Sequence, residues 1–230
     1  MKDKAVNYLM KNQLLHIDML EPIRKNTADI LYADSEGVLI KELKSGAYMI
    51  SADTLEKGRE VLKNVSECDL IVAHQPFMVD YIQNKFGLKN KTECIQAVYT
   101  DKDKLEGKSE IEIRQLDIAH IDVVLKHYKL LSGTEIEELL KAGSIFGGYK
   151  DTTLIGFVGL HLEGSLGLLE IFPEHRRKGY AMALESYMIN KVLAAGGVPY
   201  AQIKVNNKAS IKLQRKLGLR FSEDRLCWMF

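Results

Sequence analysis

The chain has 230 residues, of which 46% are hydrophobic and 27% charged, and its formal net charge is +1. This composition is ordinary for a globular protein. It argues against a disordered chain and against a dedicated nucleic-acid-binding domain, which is usually clearly basic. No apolar run reaches the roughly 18 residues of a membrane span. The cysteines Cys68, Cys94 and Cys227 show neither metal-ligand nor disulfide spacing.

The first half of the chain predicts a small α/β domain. An amphipathic helix near residues 1–20 lacks the uninterrupted apolar segment of a secretory signal, so we expect a cytoplasmic protein. Turn signals then separate three β-rich runs, which predict a meander from Ile30 to about Ala52. Asp53 is typical of a helix N-cap, and Pro76 and Gly87 are typical of the start and the end of a later helix. The short strands "DLIVAH" and "ECIQAVY" flank that helix.

A polar segment, Thr100 to Glu110, separates the two halves of the chain. It reads "TDKDKLEGKSE" and is nearly free of apolar residues, which is typical of a linker. We therefore predict a domain boundary within it, with an N-terminal domain at 1–105 and a C-terminal domain at 106–230.

The second half predicts another α/β domain. A strand, "IEIRQL", is followed by helices, the second of which shows a capping-box pattern at Thr134 and Glu137. Three successive strands come next: "SIFGGYKD", "TLIGFVGLHL" and "GSLGLLEIF". The remaining elements are a helix that ends at Gly196 and Gly197, a strand, "YAQIKV", a helix, "NKASIKLQRKLG", and a closing strand, "RLCWMF".

The two halves show a short internal repeat. His74 to Leu88 aligns without a gap with Val205 to Leu219, and Gln, Lys, Gly and Leu recur at matching positions. The upstream order of meander, helix, strand, helix and strand repeats as well, so we predict two copies of one α/β fold. The first copy has "ISADTLEKG" where the second has the basic stretch Arg176 to Ala181.

The stretch Arg176 to Ala181, "RRKGYA", joins an apolar strand to a helix, and it is either a solvated basic turn or a cradle for phosphates. A helix N-terminus offers unpaired N–H groups and a partial positive charge. Gly179 and the small Ala181 let oxygen atoms approach the backbone closely. Arg177 and Lys178 add positive charge at the rim. The dinucleotide fingerprint and the Walker pattern both fail to match.

On these residues, the second half resembles the GNAT superfamily of acyl-CoA-dependent N-acyltransferases. The stretch "EIFPEHRRKGYAMALE" is similar to that family's acyl-CoA pyrophosphate loop, and "VNNKASIKLQRKLGL" is similar to its later helix. The layout resembles the glycine N-acyltransferase-like branch, with residues 1–105 as a degenerate GNAT-like copy. The resemblance implies an α/β (α+β) protein with tandem GNAT-like folds, each a mixed, mainly antiparallel central sheet flanked by helices.

The resemblance also implies acetyl-CoA, or another acyl-CoA, as the co-substrate, and no metal. Main-chain groups of the strand would hold the pantetheine arm, the loop amides would hold the pyrophosphate, and two residues of the later helix would approach the thioester. The implied cofactor-binding residues are Leu169, Ile171, Phe172, Arg176, Arg177, Lys178, Gly179, Tyr180, Ala181, Asn207 and Ser210.

Glu170 is the candidate general base, because a carboxylate within an apolar strand is costly without a reason and a substrate amine must lose a proton. The alternative is a glutamate in a surface salt bridge. His161 and Glu163 on the preceding strand are further candidates. The family's tyrosine in the later helix, which can protonate the leaving thiolate, is replaced here by Gln214. Tyr187 or water would then have to supply that proton.

We therefore predict an acyl-CoA-dependent N-acyltransferase that acts on a small amine or amino acid by direct attack on the thioester. A strand N–H would stabilise the oxyanion. Two alternatives stay open: a non-catalytic acyl-CoA sensor, which Gln214 favours, and a protein-modifying acetyltransferase. The predicted partner is a small-molecule amine, with no nucleic acid and no membrane, and a homodimer is left open.

Overall fold

The computed structural model of the protein describes residues 1–106 and 110–230, and these fall into two units, each compact by itself. Unit 1 comprises Met1–Val98, Gln202–Ile211 and Arg220–Phe230, and unit 2 comprises Tyr99–Ala201 and Lys212–Leu219. The predicted linker includes residues 107–109, which lie outside the described residues. The two units are sets of segments that pack together in space, and each combines several parts of the chain. The predicted boundary instead divides the sequence into two consecutive copies of a fold. The division into 1–105 and 106–230 therefore stays a prediction.

The described helices and strands follow the predicted order except at the start, where the single helix predicted near residues 1–20 is two helices, α1 and α2. The helices are α1 (Lys2–Leu9), α2 (Ile17–Lys25), α3 (Leu55–Val61), α4 (Val79–Phe86), α5 (Ile121–His127), α6 (Gly133–Lys141), α7 (Tyr180–Ala194) and α8 (Lys208–Lys216). The strands are β1 (Ala28–Ala33), β2 (Gly37–Glu42), β3 (Tyr48–Ala52), β4 (Ile71–Ala73), β5 (Lys91–Val98), β6 (Glu112–Gln115), β7 (Ile145–Lys150), β8 (Thr153–Leu160), β9 (Leu166–Ile171), β10 (Tyr200–Lys204) and β11 (Arg220–Met229).

Unit 1 has a mixed, mainly antiparallel sheet with helices on both faces. Its strand order is β1-β2-β3-β4-β11-β5, in which β3 and β4 are parallel and the other pairs antiparallel. Side chains alternate between the faces of a strand. Leu39 accordingly packs with residues of α3 and α4, whereas Val38 and Ile40 pack with residues of α1 and α2. The predicted meander is β1 to β3.

The helix after this meander begins one residue later than predicted. Thr54 is the N-cap of α3, and its Oγ1 accepts a hydrogen bond from Lys57 N at 3.1 Å. The predicted cap, Asp53, is wrong because its Oδ1 accepts a hydrogen bond from the Tyr8 hydroxyl at 2.9 Å. A contact with a residue 45 positions away therefore decides which of two adjacent capping residues caps the helix.

A fully buried ion pair lies within unit 1. His74 Nε2 lies 2.9 Å from Asp18 Oδ1 and 3.0 Å from Oδ2, and both side chains are inaccessible to solvent. His74 Nδ1 lies 3.0 Å from Ile50 O, and a carbonyl can only accept, so Nδ1 carries a proton. Gln202 Nε2 donates to Asp18 Oδ2 at 2.9 Å. Burial opposes the charge on His74, but the Asp18 carboxylate outweighs it and raises the pKa of the imidazole.

Unit 2 also has a mainly antiparallel sheet. Its strand order is β10-β9-β8-β7-β6, with the Tyr200–Ala201 end of β10 in this unit, and β9 and β10 are parallel. One face packs against α5 and α6 through a cluster that includes Leu116, Phe157 and Leu168. The other face packs against α7: the rings of Phe146 and Tyr187 lie 5.4 Å apart.

Two details of unit 2 show how the helices are placed. Gly148 of β7 leaves room for α7, because a Cβ there would lie only 3.2 Å from Leu184 Cδ2.

The capping box of α6 is formed by Ser132 and Glu135. Ser132 Oγ accepts a hydrogen bond from Glu135 N at 3.3 Å, and Glu135 Oε2 accepts one from Ser132 N at 2.8 Å. The predicted box at Thr134 and Glu137 is wrong, because α6 begins at Gly133 and Thr134 lies inside it. Each unit confirms the predicted fold class.

Candidate active site

The basic stretch of the sequence forms a tight loop between β9 and α7. After β9 comes a short 3-10 helix, Pro173–His175, and α7 begins at Tyr180. Two loop residues have positive φ angles, Arg177 at +64° and Gly179 at +83°. Turns that contain left-handed residues can direct successive backbone N–H groups to one side, where they can bind an anion. The predicted phosphate cradle at this loop stays a prediction.

The N-terminus of α7 has no side-chain cap. Gly179 is the N-cap of this 15-residue helix, and the first turn contains no acidic residue. Met182 N and Ala183 N donate to Gly179 O, whereas the amides before them precede the first intrahelical bond. Arg177 and Lys178 are exposed. Amide donors, the helix dipole and two cations therefore favour a bound anion at this end of α7.

Unit 1 offers a contrast at the helix in the matching position. The N-terminus of α3 is capped by Thr54 and carries an acidic residue, Glu56, in its first turn. Its strands β3 and β4 pair at three positions, from Tyr48↔Ile71 to Ile50↔Ala73. The described register of β9 and β10 contains one pair, Ala201↔Leu166. The uncapped helix N-terminus and the more sparsely paired parallel strands thus both belong to unit 2.

Arg176 is not directed to the rim with its two neighbours. Its Nε donates to Ile171 O at 2.8 Å, and its Nη2 donates to Glu170 Oε1 at 2.7 Å. The guanidinium therefore ties the loop to β9. Glu170 is in the salt bridge that sequence reasoning left as its alternative, with its side chain 25% exposed. Its role as a general base stays a prediction.

Strand β9 contains a β-bulge beside this loop. Gly159 pairs with Gly167 and Phe157 with Glu170, so three steps along β9 oppose two along β8. Leu168 lies in the bulge with a φ of +51°. Phe172 N donates to Ile155 O of β8 at 3.0 Å, so the main-chain groups of Ile171, one residue earlier, point away from β8.

Tyr128, which directly follows α5, lies at the bulge and was not among the predicted site residues. Its phenol interacts with the backbone of Leu168, and burial raises its pKa to about 12. A phenol with that pKa stays protonated at neutral pH, so its O–H can donate a hydrogen bond. No sequence pattern could reveal this placement, because it depends on the extra residue in β9.

The sequence-predicted residues divide between the units. Unit 2 brings together the strand and loop residues Leu169, Glu170, Ile171, Phe172 and Arg176 to Ala181. Asn207 and Ser210 belong to unit 1. Asn207 Oδ1 accepts a hydrogen bond from Ser210 N at 3.1 Å, which caps the start of α8.

The two second-rank candidates shape the turn between β8 and β9. His161 N donates to Ser165 O at 2.9 Å, and a Cβ on Gly167 would lie 2.2 Å from His161 Nε2, so the imidazole packs on that glycine. Glu163 O accepts from the Tyr200 hydroxyl at 2.8 Å, and its carboxylate accepts from Ser165 Oγ. Both residues have structural contacts here.

Unit 2 contains a buried polar pair, Glu185 and Gln214, that the sequence did not predict. Glu185 of α7 is 1% exposed and Gln214 of α8 is 3% exposed. Gln214 Nε2 donates to Glu185 Oε1 at 2.8 Å, and burial raises the pKa of Glu185 to about 7. The sequence contains a signal, because Glu185 precedes the buried Met188, Ile189 and Val192 by three, four and seven positions.

The described residues contain neither a cluster suited to a metal ion nor a helix suited to a membrane. Among residues 1–106 and 110–230, no group of three or more His, Cys, Asp or Glu side chains is arranged to hold a metal ion. None of the helices within those ranges is both long and apolar enough to cross a membrane.

Comparison with known proteins shows one partial family match and a GNAT-like fold. Residues 150–229, about a third of the chain, match the family model "FR47-like protein", and no curated protein matches. A Drosophila protein has 15% identity and a TM-score of 0.65, with 99% of this chain and 86% of that chain covered. An acetyltransferase of the GNAT family from Colwellia psychrerythraea has 13% identity and a TM-score of 0.53, with 98% and 96% covered.

A GCN5-related N-acetyltransferase-like protein from Streptococcus suis is similar to the same extent. It has 15% identity and a TM-score of 0.55, and the alignment covers 94% of this chain and 95% of that chain. At these identities the likeness shows the fold, which is GNAT-like. The resemblance to the glycine N-acyltransferase-like branch, and the view of the first half as a degenerate copy, stay predictions.

Proposed function

We propose that this chain is an N-acyltransferase that uses acetyl-CoA and acts on a small amine or amino acid. One observation carries the proposal: the N-terminus of α7 lacks a side-chain cap and follows a loop with two left-handed residues and two exposed cations. A pyrophosphate supplies the negative charge and the acceptor oxygens that such a helix end favours. The GNAT-like fold and the names of the structural neighbours support the same reaction class.

In this proposal, the residues of unit 2 bind an extended co-substrate along one line. The amides from Arg177 to Ala181 hold the pyrophosphate, and the main-chain groups of Leu169 and Ile171 on β9 hold the pantetheine arm. Arg176 does not bind phosphate with its side chain; it keeps the loop against β9 through Glu170 and Ile171 O. The roles of Asn207 and Ser210 stay predictions from the family resemblance.

The reaction needs a neutral amine, an oxyanion donor and a leaving thiolate. The amine nitrogen attacks the thioester carbonyl carbon, the C–N bond forms, and the carbonyl oxygen gains charge that a backbone N–H of the β9 bulge stabilises. Collapse of this intermediate breaks the C–S bond and releases the thiolate. The attacking nitrogen gives up one proton, and the thiolate takes up one.

We assign the base to Glu170 and the acid to Tyr128. Within the described residues, Glu170 Oε1 is bonded by Arg176 and Oε2 accepts no hydrogen bond, so Oε2 can take the proton of the amine. Gln214 is buried against Glu185 and carries no acidic proton. The Tyr128 phenol lies at the bulge and replaces Tyr187 as our candidate, since the Tyr187 ring packs on Phe146.

The second candidate is a non-catalytic acyl-CoA sensor. Two observations favour it: Glu170 is engaged in an ion pair with Arg176, and Gln214 occupies the position of the family's proton donor. A protein of this kind would bind acetyl-CoA at the same loop and release no thiol.

The experiment that separates these functions measures thiol release from acetyl-CoA across a panel of amines and amino acids. Titration of acetyl-CoA in a calorimeter accompanies it. We expect binding, turnover with at least one amine, and a fall in kcat of about 100-fold or more in Glu170→Gln without weaker binding. Glu174→Gln, an exposed carboxylate in the same loop, is the control and should retain activity. Binding without turnover supports the sensor, and absence of binding refutes both functions.

A further inference from the structure

The pair Glu185–Gln214 contains a hydrogen-bonding mismatch. A carboxylate has acceptors alone, and a side-chain amide has two N–H donors and one acceptor oxygen. Gln214 Nε2 donates to Glu185 Oε1 at 2.8 Å. Gln214 Oε1 is buried and has no hydrogen-bond partner within the described residues. A buried acceptor without a donor costs free energy, and a buried carboxylate that has one neutral donor costs more.

A proton on the carboxyl group removes both costs. We propose that Glu185 is a neutral carboxylic acid in the folded protein and that its hydroxyl donates to Gln214 Oε1. The acid and the amide then make two hydrogen bonds, N–H to C=O and O–H to C=O, and every polar atom of the pair has a partner. The terminal torsions of Glu and Gln side chains are broad, so the second bond needs only small rotations.

Within residues 1–106 and 110–230, the elements packed against the pair supply no counter-charge that would keep Glu185 ionised. The charged residues on the elements packed against α7, and on α7 itself, are exposed or already paired. On β9, Glu170 pairs with Arg176, and on β7, Lys150 pairs with Glu110. Strand β8 has no charged residue. Leu105 N and O also bond the Asn190 side chain of α7, so the segment 101–106 packs on this helix. The other charged residues are exposed: Lys191 of α7, Lys208, Lys212, Arg215 and Lys216 of α8, and Asp101, Lys102, Asp103, Lys104 and Glu106 of that segment.

The pair holds together the two segments of unit 2 that it joins. Glu185 lies in α7, whose N-terminus carries the proposed acyl-CoA loop, and Gln214 lies in the Lys212–Leu219 segment. Glu185 is therefore a positioning residue, and its effect on acyl-CoA binding rests on the proposed function. The protonation state itself does not rest on it, and it can be measured without a ligand.

The pair makes stability depend on pH in a defined direction. Burial raises the pKa of Glu185 from 4.5 to about 7, against the Gln214 bond, which lowers it. The stabilisation is complete below the unfolded pKa and is lost as pH rises through about 7. Between these values, the unfolding equilibrium constant rises by up to about tenfold per pH unit.

The test is Glu185→Gln, which replaces the acid by an amide of the same shape that still donates to Gln214 Oε1. Urea unfolding of the whole chain is measured from pH 5 to pH 8. We expect wild type to lose stability relative to Glu185→Gln as pH rises, and Glu138→Gln, an exposed carboxylate of α6, to follow wild type. Parallel pH profiles for wild type and Glu185→Gln would overturn the proposal.

Infrared difference spectra at pH 6 give a second measurement, which detects the protonated carboxyl group directly and does not depend on stability. The C=O band of a protonated carboxyl group is expected in wild type and in Glu138→Gln, and its loss is expected in Glu185→Gln. If Glu185→Gln fails to fold, Gln214→Met serves instead, and the band should shift because the acid loses its partner. An unchanged band in either variant contradicts the proposal, whatever the outcome of the acetyl-CoA assays.

Discussion

Arg176 Nη2 donates to Glu170 Oε1 at 2.7 Å, and the same guanidinium donates to Ile171 O at 2.8 Å. One side chain thus connects the proposed base, strand β9 and the loop that we propose for the pyrophosphate. Because the Arg176 side chain is 54% exposed, the ion pair contributes at most about 1 kcal/mol to folding. We expect the ion pair to act instead by fixing the position of the loop between β9 and α7.

Arg176→Gln should therefore weaken acetyl-CoA binding several-fold and change the free energy of unfolding by less than about 1 kcal/mol. Arg177→Gln is the matched control, because it removes the same charge from an exposed neighbour. Calorimetric titration at two salt concentrations separates the effects: the loss in Arg177→Gln should shrink at high salt, and that in Arg176→Gln should persist. Equal losses with equal salt dependence would contradict the role of Arg176 in loop position.

Gly179 tests the conformation of the loop, and Gly196 at the end of α7 is a control with a similar backbone conformation. Both have positive φ angles, +83° and +69°, and a Cβ at either would have nothing within 4 Å. Substitution by Ala should lower the unfolding free energy by about 1 kcal/mol at each position. Gly179→Ala alone should also weaken acetyl-CoA binding about tenfold, because the backbone of the loop must shift. Equal binding by both variants would argue against phosphate contacts at Gly179.

Tyr128→Phe tests the assignment of the proton donor. We expect a fall in kcat at the low end of general-acid effects, about 100-fold, since a thiolate is a fair leaving group. A thioester of a more acidic thiol needs less protonation, so it should recover most of the lost rate. Tyr187→Phe is the control and should keep its rate. If neither variant loses activity, water is the proton donor.

Asp18→Asn tests the buried ion pair of unit 1. Removal of one partner leaves an uncompensated buried charge on His74, so we expect a loss of about 3–5 kcal/mol in urea unfolding. The Asp18 carboxylate raises the pKa of His74. The stabilisation from the Asp18–His74 pair is therefore complete below the unfolded pKa of histidine, about 6.5, and is lost as pH rises through the raised pKa of folded His74. Asp29→Asn, on the exposed side of β1, should change little. A small effect of Asp18→Asn at pH 6 would show that the pair is neutral.

Local patterns predicted much of the fold and the core of the site. Turn residues between apolar runs predicted the meander, and the basic stretch with Gly179 predicted the tight loop before α7, whose binding of an anion stays a prediction. These features depend on residues that are close in sequence. The cap of α3 could not be chosen locally, because Tyr8 engages Asp53 and leaves the cap to Thr54.

The remaining features of the site depend on contacts and registers that a sequence does not contain. The bulge at Leu168 is a mismatch between the steps of two strands, and it brings Tyr128 to the backbone. The Arg176–Glu170 pair requires the chain to turn back through the 3-10 helix. Glu185 was passed over because a single polar residue on an apolar helix face does not show what it meets, which is Gln214.

The different ends of α3 and α7 have a consequence for how the two units respond to metabolite supply. The Thr54 side chain completes the hydrogen bonding of α3, so that helix gains little from an added anion. The end of α7 has no such side chain, and a bound acyl-CoA would complete it. A ligand at 100 times its Kd stabilises the form that binds it by about 2.7 kcal/mol. On the proposed function, we expect acetyl-CoA to slow amide hydrogen exchange at the start of α7 far more than at the start of α3.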